Sequence, residues 1–526
     1  MFGLPSVQAL SGSLPRPASS PYRWGTAWVL AAAALWLLAT IGWRPLMLPD
    51  EGRYAGVAYE MLRTGSLVPT LNGLPFFHKP PLLYALDMAA MALLGVNTFA
   101  ARLGPALMGL LMAAAAFFHL RRWHGEAVAR TGLAVLVTCP FFFLGAQFVN
   151  HDIGVAACIT LAVTTAVRAL EPGQPRRRRR LWLVLAWLAC GLGVLAKGLI
   201  GIVLPGLIVL PWLLAQRRWR DTLALLHPIG LLAGAMVVLP WMVAMQLRHD
   251  GFFDYFIIEQ HFRRYASAAF NNQQPFWFYV AALPLLTLPW SLFLGPAIQQ
   301  GWQRMRDGLD PRTGLYLWWI VVIVGFFSVP QSKLVGYVLP ALLPWCALLA
   351  MAVRQRPRLA RATLTLSALL CVSLVAGIAW KAPHSTRTEA QALAQRLAPG
   401  DRVAFVDHYF YDLPFYARLS QPVHVLSDWS DPTIPQRDNW RKELADATRF
   451  ATPEQARVLW PLAQAEALRC GSGTLWLVTS GDLPAPLSGW RGLALVMRGP
   501  SADLWRASPL PEAACAMPDQ PGNATR

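Results

Sequence analysis

The sequence predicts an all-α polytopic membrane protein of about 11–13 transmembrane helices with a small C-terminal α/β extracytoplasmic domain. Three observations predict this class. The 526 residues are 55% hydrophobic and only 14% charged, with mean hydropathy +0.39 and 23 Trp, too apolar for a soluble chain and too long for one span. Apolar runs of membrane-crossing length recur from Trp24 to Trp380. Beyond Trp380 the composition turns polar and mixed.

Residues 1–23, rich in Ser and Pro with Arg16 and Arg23, form an N-terminal tail expected in the cytoplasm. The run Trp24–Trp43 is long for a signal peptide's apolar region and reads as a retained anchor. Further runs lie at roughly 100–120, 132–149, 153–170, 181–196, 198–214, 224–246, 276–298, 313–329, 334–352 and 360–380, each about the length that crosses ~30 Å of hydrocarbon, with 181–214 split by Lys197. Leu82–Val96, which holds Asp87, does not fit the alternation as a full span and is read as interfacial, re-entrant or one of a pair. Residues 24–380 are therefore the membrane domain. In residues 381–526 the segments Val403–Asp407, Val423–Leu426, Leu475–Thr479 and Leu493–Met497 alternate as short strands between helical stretches. Cys139, Cys158, Cys190, Cys346 and Cys371 lie in apolar runs and none forms a CxxC, so neither a zinc site nor a disulfide scaffold is indicated; Cys470 and Cys515 alone are placed to pair.

The formal net charge of +18 does not indicate nucleic acid. Most of the Arg stands in short loops between apolar runs, where an excess of Lys and Arg fixes membrane orientation. The clusters are Arg121, Arg122 and Arg130; Arg176–Arg180; Arg217, Arg218 and Arg220; Arg304, Arg306 and Arg312; and Arg354, Arg356, Arg358 and Arg361. With these loops and the N-terminus in the cytoplasm, the alternate connections face the other side. They hold Asp50–Lys79, Asn150–Asp152, Lys197, residues 247–275 and Gln331–Lys333. The active face is expected to be extracytoplasmic, with the C-terminal domain on it.

Each motif has a plain reading beside the functional one. Asp50-Glu51-Gly52-Arg53-Tyr54 opens a helical stretch whose acids could simply cap its N-terminus. His78-Lys79-Pro80-Pro81 holds an imidazole and a cation on a rigid extended segment, or a lysine snorkelling to headgroups. Asn150-His151-Asp152 could be only a helix cap. Lys197, at the edge of an apolar stretch, is a candidate by the scarcity of such groups, with snorkelling as the alternative. Glu259, His261, Arg263, Arg264 and Tyr265 lie in a loop that is either functional or merely solvated. Gln331-Ser332-Lys333 joins two spans with no room for a loop, which holds Lys333 near an anionic headgroup or phosphate. Carboxylates suit proton transfer or stabilisation of an oxocarbenium ion, and Lys and Arg suit a departing phosphate. A sugar leaving a lipid-linked phosphate needs both.

Taken in order, Leu48–Tyr54, Phe77–Leu82, Asp152, Leu195–Gly198, Pro240-Trp241, His261–Tyr265, Ser332–Leu334 with Tyr337 and Pro340, and Tyr411–Tyr416 make the chain resemble the multispanning glycosyltransferases that use polyprenyl-phosphate sugars. Within them it is similar to the bacterial lipid A aminoarabinose (4-amino-4-deoxy-L-arabinose) transferases and their protein mannosyltransferase relatives. The resemblance implies Asp50 and Asp152 as the catalytic carboxylates, Lys79 and Arg264 as carrier-phosphate ligands, and Arg53 and Lys333 as supporting contacts. Glu51, Tyr54, His78, Lys197, Glu259, His261, Ser332 and Tyr337 complete the implied carrier-phosphate and substrate-binding set. One departure stands out: the aminoarabinose transferases usually carry Glu before Lys-Pro-Pro, where this chain has His78. No cofactor is required by the resemblance; a divalent cation, zinc or magnesium, is a candidate at His78, Glu259 and His261 that the spacing does not support.

The resemblance implies transfer of a sugar, 4-amino-4-deoxy-L-arabinose, from undecaprenyl phosphate to lipid A phosphate at the periplasmic face of a bacterial inner membrane. The implied partners are the undecaprenyl-phosphate-linked donor, lipid A or another periplasmic acceptor, and membrane lipids. A transferase acting on protein, polysaccharide or another lipid is the alternative. A lipid or sugar transporter would place its charges near the midplane and repeat its halves, and neither sign is seen.

Overall fold

A computed structural model describes residues 23–263, 272–306, 308, 310–381, 385–511 and 515. The first part of the membrane unit comprises α1 (Arg23–Leu38), α2 (Asp50–Thr64), α3 (Leu82–Leu94), α4 (Thr98–His124), α5 (Glu126–Thr138), α6 (Pro140–Ala146), α7 (His151–Ala169), α8 (Arg176–Lys197), α9 (Ile200–Ala215), α10 (Trp219–Ala224) and α11 (Pro228–Arg248). A π-helix, Asp254–Arg263, follows, and then the apolar helices Phe278–Leu286, Leu294–Arg306, Pro311–Ser328, Leu342–Val353 and Pro357–Lys381.

Among the described residues seven helices are long and apolar enough to cross a membrane, or nine if each of two bent pairs is one span, beside three shorter apolar helices. The bends have a chemical cause. The α5–α6 pair turns by 67° where Pro140 starts the second helix, and Phe278–Leu286 turns by 105° into the next helix across Pro284 and Pro289. Proline removes a donor and clashes with the preceding turn, so the chain changes direction there. The segment beginning at Leu82 is a 13-residue helix, and Asp87 on it is buried.

The ends of these helices sort by charge. Arg121 donates to Thr26 at 3.1 Å, Arg122 to Glu171 at 3.1 Å, Arg179 to Asp221 at 2.8 Å and Arg312 to the Trp123 carbonyl at 2.6 Å. The basic ends of α1, α4, α7, α8 and α10 therefore meet one another. The opposite ends carry the motif residues, and they meet the C-terminal unit.

Two short strands between α2 and α3, β1 (Thr70–Leu71) and β2 (Leu74–Pro75), pair antiparallel. The C-terminal unit is built on a six-stranded sheet, β3 (Arg402–Val406), β4 (His424–Ser427), β5 (Leu459–Pro461), β6 (Leu475–Thr479), β7 (Leu493–Arg498) and β8 (Asp503–Ala507), in the order β5-β4-β3-β6-β8-β7. β3 pairs in parallel with β4 (Ala404 opposite His424) and with β6 (Arg402 opposite Leu475), while β8 runs antiparallel to β6 and β7. β6 is buried throughout its length, as expected of a central strand covered on both faces. Cys470 and Cys515 form a disulfide with 5.6 Å between their Cα atoms. The five other cysteines are buried and free.

The two units share a core. α2 is polar on average, yet Tyr54, Ala55, Val57, Ala58 and Met61 pack in one cluster with Phe405, Tyr409, Phe410, Leu413 and Phe415 of the C-terminal unit. Asn72 locks the contact, accepting from the Val423 amide at 2.8 Å and donating to its carbonyl at 2.9 Å. The connection from α2 to α3 is thus folded between the bundle and the sheet.

Candidate functional site

The site begins at the N-terminus of α2, where two successive acids take opposite parts. Asp50 is one-third exposed and pairs with Arg53 one turn on. Glu51 is fully buried. It accepts from Arg102 at 2.8 and 2.9 Å, from Arg44, and from the amides of Met47 (2.9 Å) and Val149 (3.0 Å). Burial alone would push its pKa up, but the Arg102 and Arg44 charges overcome that and hold it at about 2. Both Glu51 oxygens are thereby spent inside the protein. The expected substrate contact at Glu51 gives way to a structural one, in which it ties residues 44–51 to α4 and to the entry of α7.

Arg53 points to the C-terminal unit. Its guanidinium pairs with Asp50 and with Glu443, lies 5.0 Å from the Tyr54 ring and 5.7 Å from the Tyr411 ring, and is largely buried. Tyr54 carries the link inward. Its ring meets His151 edge-on at 4.8 Å and Tyr84 at 6.0 Å, and the charges of Arg53, Asp50, Glu443 and Asp152 all act on its hydroxyl. Burial, opposed by Arg53, raises the Tyr54 pKa.

The second carboxylate stands on α7. Asn150 caps that helix, its side chain accepting from the Asp152 amide at 3.1 Å, so the capping role is real. It coexists with a second one: Asp152 is buried and ion-paired with Lys197 at the end of α8. The Lys197 ammonium sits 4.1 Å from the Tyr337 ring centre, a cation–π contact that fixes its direction. A methyl group on Gly336 would run into the Asp152 carboxylate, so only glycine admits this approach. The charges of Lys79, Lys197 and Arg53 all reach His151, which is buried between Tyr54 and Tyr84. Asp50, Arg53, Tyr54, Lys79, Asp152, Lys197 and Tyr337 are thus brought to one place.

The other candidates flank this centre. His78 stacks on Phe76 at 4.3 Å, and Lys79 donates to the His78 carbonyl at 3.0 Å. His261, on the π-helix, accepts from the Leu199 amide through Nε2 at 3.3 Å and donates through Nδ1 to the Phe256 carbonyl at 2.6 Å. Single π-turns recur at functional sites because they re-aim side chains. Here one brings His261 against Gly198, whose φ of 114° and missing side chain make room for the ring. Gly198→Ala is expected to cost about 1–3 kcal/mol of stability from backbone conformation alone, and thermal unfolding of the detergent-solubilised protein checks it.

Glu259 bonds to Arg449 of the C-terminal unit at 3.2 Å. Ser332 bridges to Gln273, and Lys333 is buried, donating to the carbonyls of Gln274 (2.9 Å) and Pro330, so it pins two chain segments together. Arg264 and Tyr265 lie outside the described residues. Among the described residues no three His, Cys, Asp or Glu side chains group as metal ligands. No chemical step is assigned to a divalent cation. Glu443 and Arg102 escape a motif search because each acts across a long sequence interval, and Arg44, seven residues from Glu51, because nothing local marks it as buried; His151 was visible only as part of a cap.

The chain matches the family model of the dolichyl-phosphate-mannose-protein mannosyltransferases over residues 29–298, half of its length. The chain belongs to that family. The match includes Asp50, His78, Lys79, Asp152, Lys197 and Glu259, and it bears out the resemblance drawn from the motifs. The chain is also similar to curated relatives. The undecaprenyl phosphate-alpha-4-amino-4-deoxy-L-arabinose arabinosyl transferase of Pseudomonas aeruginosa (strain UCBPP-PA14) is 34% identical over 336 residues, covering 63% of this chain and 60% of the relative. That of Aeromonas salmonicida is 32% identical over 366 residues, covering 68% and 66%. The chain thus spans about 60% of the length of the curated relatives it first matches. The crystal structure of ArnT from Cupriavidus metallidurans bound to undecaprenyl phosphate superposes with a TM-score of 0.79 at 23% identity, covering 95% of this chain and all of that one. The mannosyltransferase-family member described here accordingly shares that multispanning fold.

Proposed function

We propose that this protein moves a sugar, 4-amino-4-deoxy-L-arabinose, from undecaprenyl phosphate to a lipid A phosphate at the periplasmic face of a bacterial inner membrane. The observation that carries the reading is the meeting of two carboxylates, Asp50 and Asp152, with three cations, Arg53, Lys79 and Lys197, around Tyr54 and His151. The names of the relatives support the class of donor, and the lipid A acceptor is part of the proposal.

In the proposed reaction the bond between the anomeric carbon and the carrier phosphate oxygen breaks, its electron pair leaving with undecaprenyl phosphate. Lys79 and Arg53 meet the charge gained by the phosphate. A new bond forms from an acceptor oxygen to the anomeric carbon, where Asp50 opposes the developing positive charge. A lipid A phosphate is already anionic and needs no base; a hydroxyl acceptor would surrender its proton to a carboxylate. Asp152 is held by Lys197 and Gly336 for the same anomeric region, and Arg264 is proposed as a further phosphate ligand.

The proposed topology has residues 1–23 in the cytoplasm, the membrane unit over 24–380 and a periplasmic unit over 381–526. Two facts support it. The Arg-rich helix ends gather at one end of the bundle, as retention on the cytoplasmic side demands. The Cys470–Cys515 disulfide belongs to the opposite side, and disulfides persist in oxidising compartments such as the periplasm.

Lys79→Ala is expected to lower transfer about 100-fold or more while the protein still inserts, measured with undecaprenyl phosphate-aminoarabinose and lipid A in reconstituted membranes. Mass spectrometry of lipid A from cells with and without the gene tests the acceptor. Loss of the aminoarabinose mass supports the reading; unchanged lipid A overturns it. The family description, a protein mannosyltransferase, favours as second reading a transferase to protein, polysaccharide or another lipid.

A further inference from the structure

The helix Trp440–Thr448 of the C-terminal unit touches both walls of the site. Near its start, Glu443 is buried with both oxygens engaged: Oε1 takes the Arg53 guanidinium, and Oε2 accepts from the Tyr411 hydroxyl at 2.6 Å. Past its end, Arg449 bonds to Glu259, and Phe450 packs on Phe77 at 5.1 Å and Tyr255 at 5.3 Å, beside the His78-Lys79 segment and the π-helix. The domain reaches the site by side chains of its own.

Glu443 is not needed to dock the two units. α2 is already held by the shared apolar core, by the paired Asn72–Val423 hydrogen bonds, by Tyr416 accepting from the Leu46 amide at 2.7 Å and by Tyr59 donating to the Leu419 carbonyl at 3.1 Å. A buried ion pair contributes little net adhesion, because desolvation offsets its attraction. What it does fix is direction. Glu443 and Asp50 hold Arg53 between them, and the Tyr411 hydroxyl fixes the Glu443 carboxylate in turn.

We propose that Glu443, oriented by Tyr411, is a positioning residue for sugar transfer: it sets the Arg53 guanidinium, and through it Asp50, so that the C-terminal unit completes the site. This rests on the function proposed above. Without the Glu443 charge, Arg53 has Asp50 as its sole carboxylate partner of the two, and both leave their working geometry. Burial alone would lower the Arg53 pKa, and Glu443 is the first of the charges that reverse this.

The test measures kcat and KM for undecaprenyl phosphate-aminoarabinose with lipid A as acceptor, in the full-length protein reconstituted in lipid. Glu443→Gln is expected to lower kcat per folded molecule about 10- to 100-fold with donor KM little changed, and Glu443→Asp to recover part of the loss. Melting of Glu443→Gln is expected to fall less than for an arginine left without any carboxylate, because Asp50 still pairs with Arg53. Tyr411→Phe keeps the ion pair and is expected to lower kcat less; it serves as the probe if Glu443→Gln does not fold. In the Arg53→Ala background, Glu443→Gln is expected to add no further loss, since both act through one guanidinium. Wild-type kcat in Glu443→Gln and Tyr411→Phe, an additive loss in the double variant, or a loss of activity no greater than the loss of folded material overturns the inference alone. A wild-type protein that transfers nothing overturns the proposed function and this inference with it.

Discussion

Asp50→Asn is expected to abolish sugar transfer, by about 100-fold or more, in a protein that remains folded and inserted. The structural cost is small for three reasons. Asp50 is one-third exposed, and a surface pair one helical turn apart is worth under ~1 kcal/mol. Arg53 is not stranded, because Glu443 still holds it. Asparagine keeps the size of the side chain and its ability to accept at a helix N-terminus. In the proposed reaction the chemical cost is large, because the change removes a fixed negative charge where positive charge develops on the sugar. If the acceptor is a hydroxyl, it also removes a base, whose contribution is about 10²–10⁴-fold. Transfer assays on the purified variant, read beside its melting curve, check both halves. An active Asp50→Asn protein would remove Asp50 from the mechanism.

Much of the architecture was legible in the sequence because the membrane simplifies the code. Long apolar runs must be helices, Arg clusters must gather on one side, and the Cys470–Cys515 pair stands out once five cysteines are assigned to apolar runs. Asp152, Lys197 and Tyr337 were found as scattered motif letters and meet in the fold. What stayed hidden depends on pairings that no local pattern encodes. Glu443 lies on an ordinary amphipathic helix, 390 positions from the arginine it holds. Lys333 looked like a headgroup ligand by its place between two spans, and instead it satisfies backbone carbonyls. Glu51 was read beside Asp50 in a lesser role, but its burial between two arginines is a tertiary property that the sequence does not display.

Glu51→Gln is the second change with a large expected effect, and its result should be the reverse of its neighbour's. The wild-type carboxylate lies between two guanidiniums that are themselves buried, Arg44 and Arg102. Arg102 also donates to the carbonyls of Ile41, Arg44 and Pro45, and Arg44 to that of Gln147, so neither arginine can swing out to water. With glutamine in place, two like charges are left desolvated without a counter-ion, and breaking such a pair costs about 3–5 kcal/mol. That is a large share of the ~5–15 kcal/mol that holds a typical domain together. The pKa near 2 sets the pH range over which the cluster acts. A carboxyl whose folded pKa is depressed contributes its full stability above the ordinary value of 4.5 and loses it only as pH falls toward 2. No physiological pH relieves the variant. The expected outcome is a protein recovered in low yield, melting well below wild type, with loss of transfer in proportion to loss of folded material. Specific activity per folded molecule should stay far closer to wild type than in Asp50→Asn. A Glu51→Gln protein that melts like wild type yet transfers no sugar would return Glu51 to the substrate and undo the division of labour between these adjacent acids.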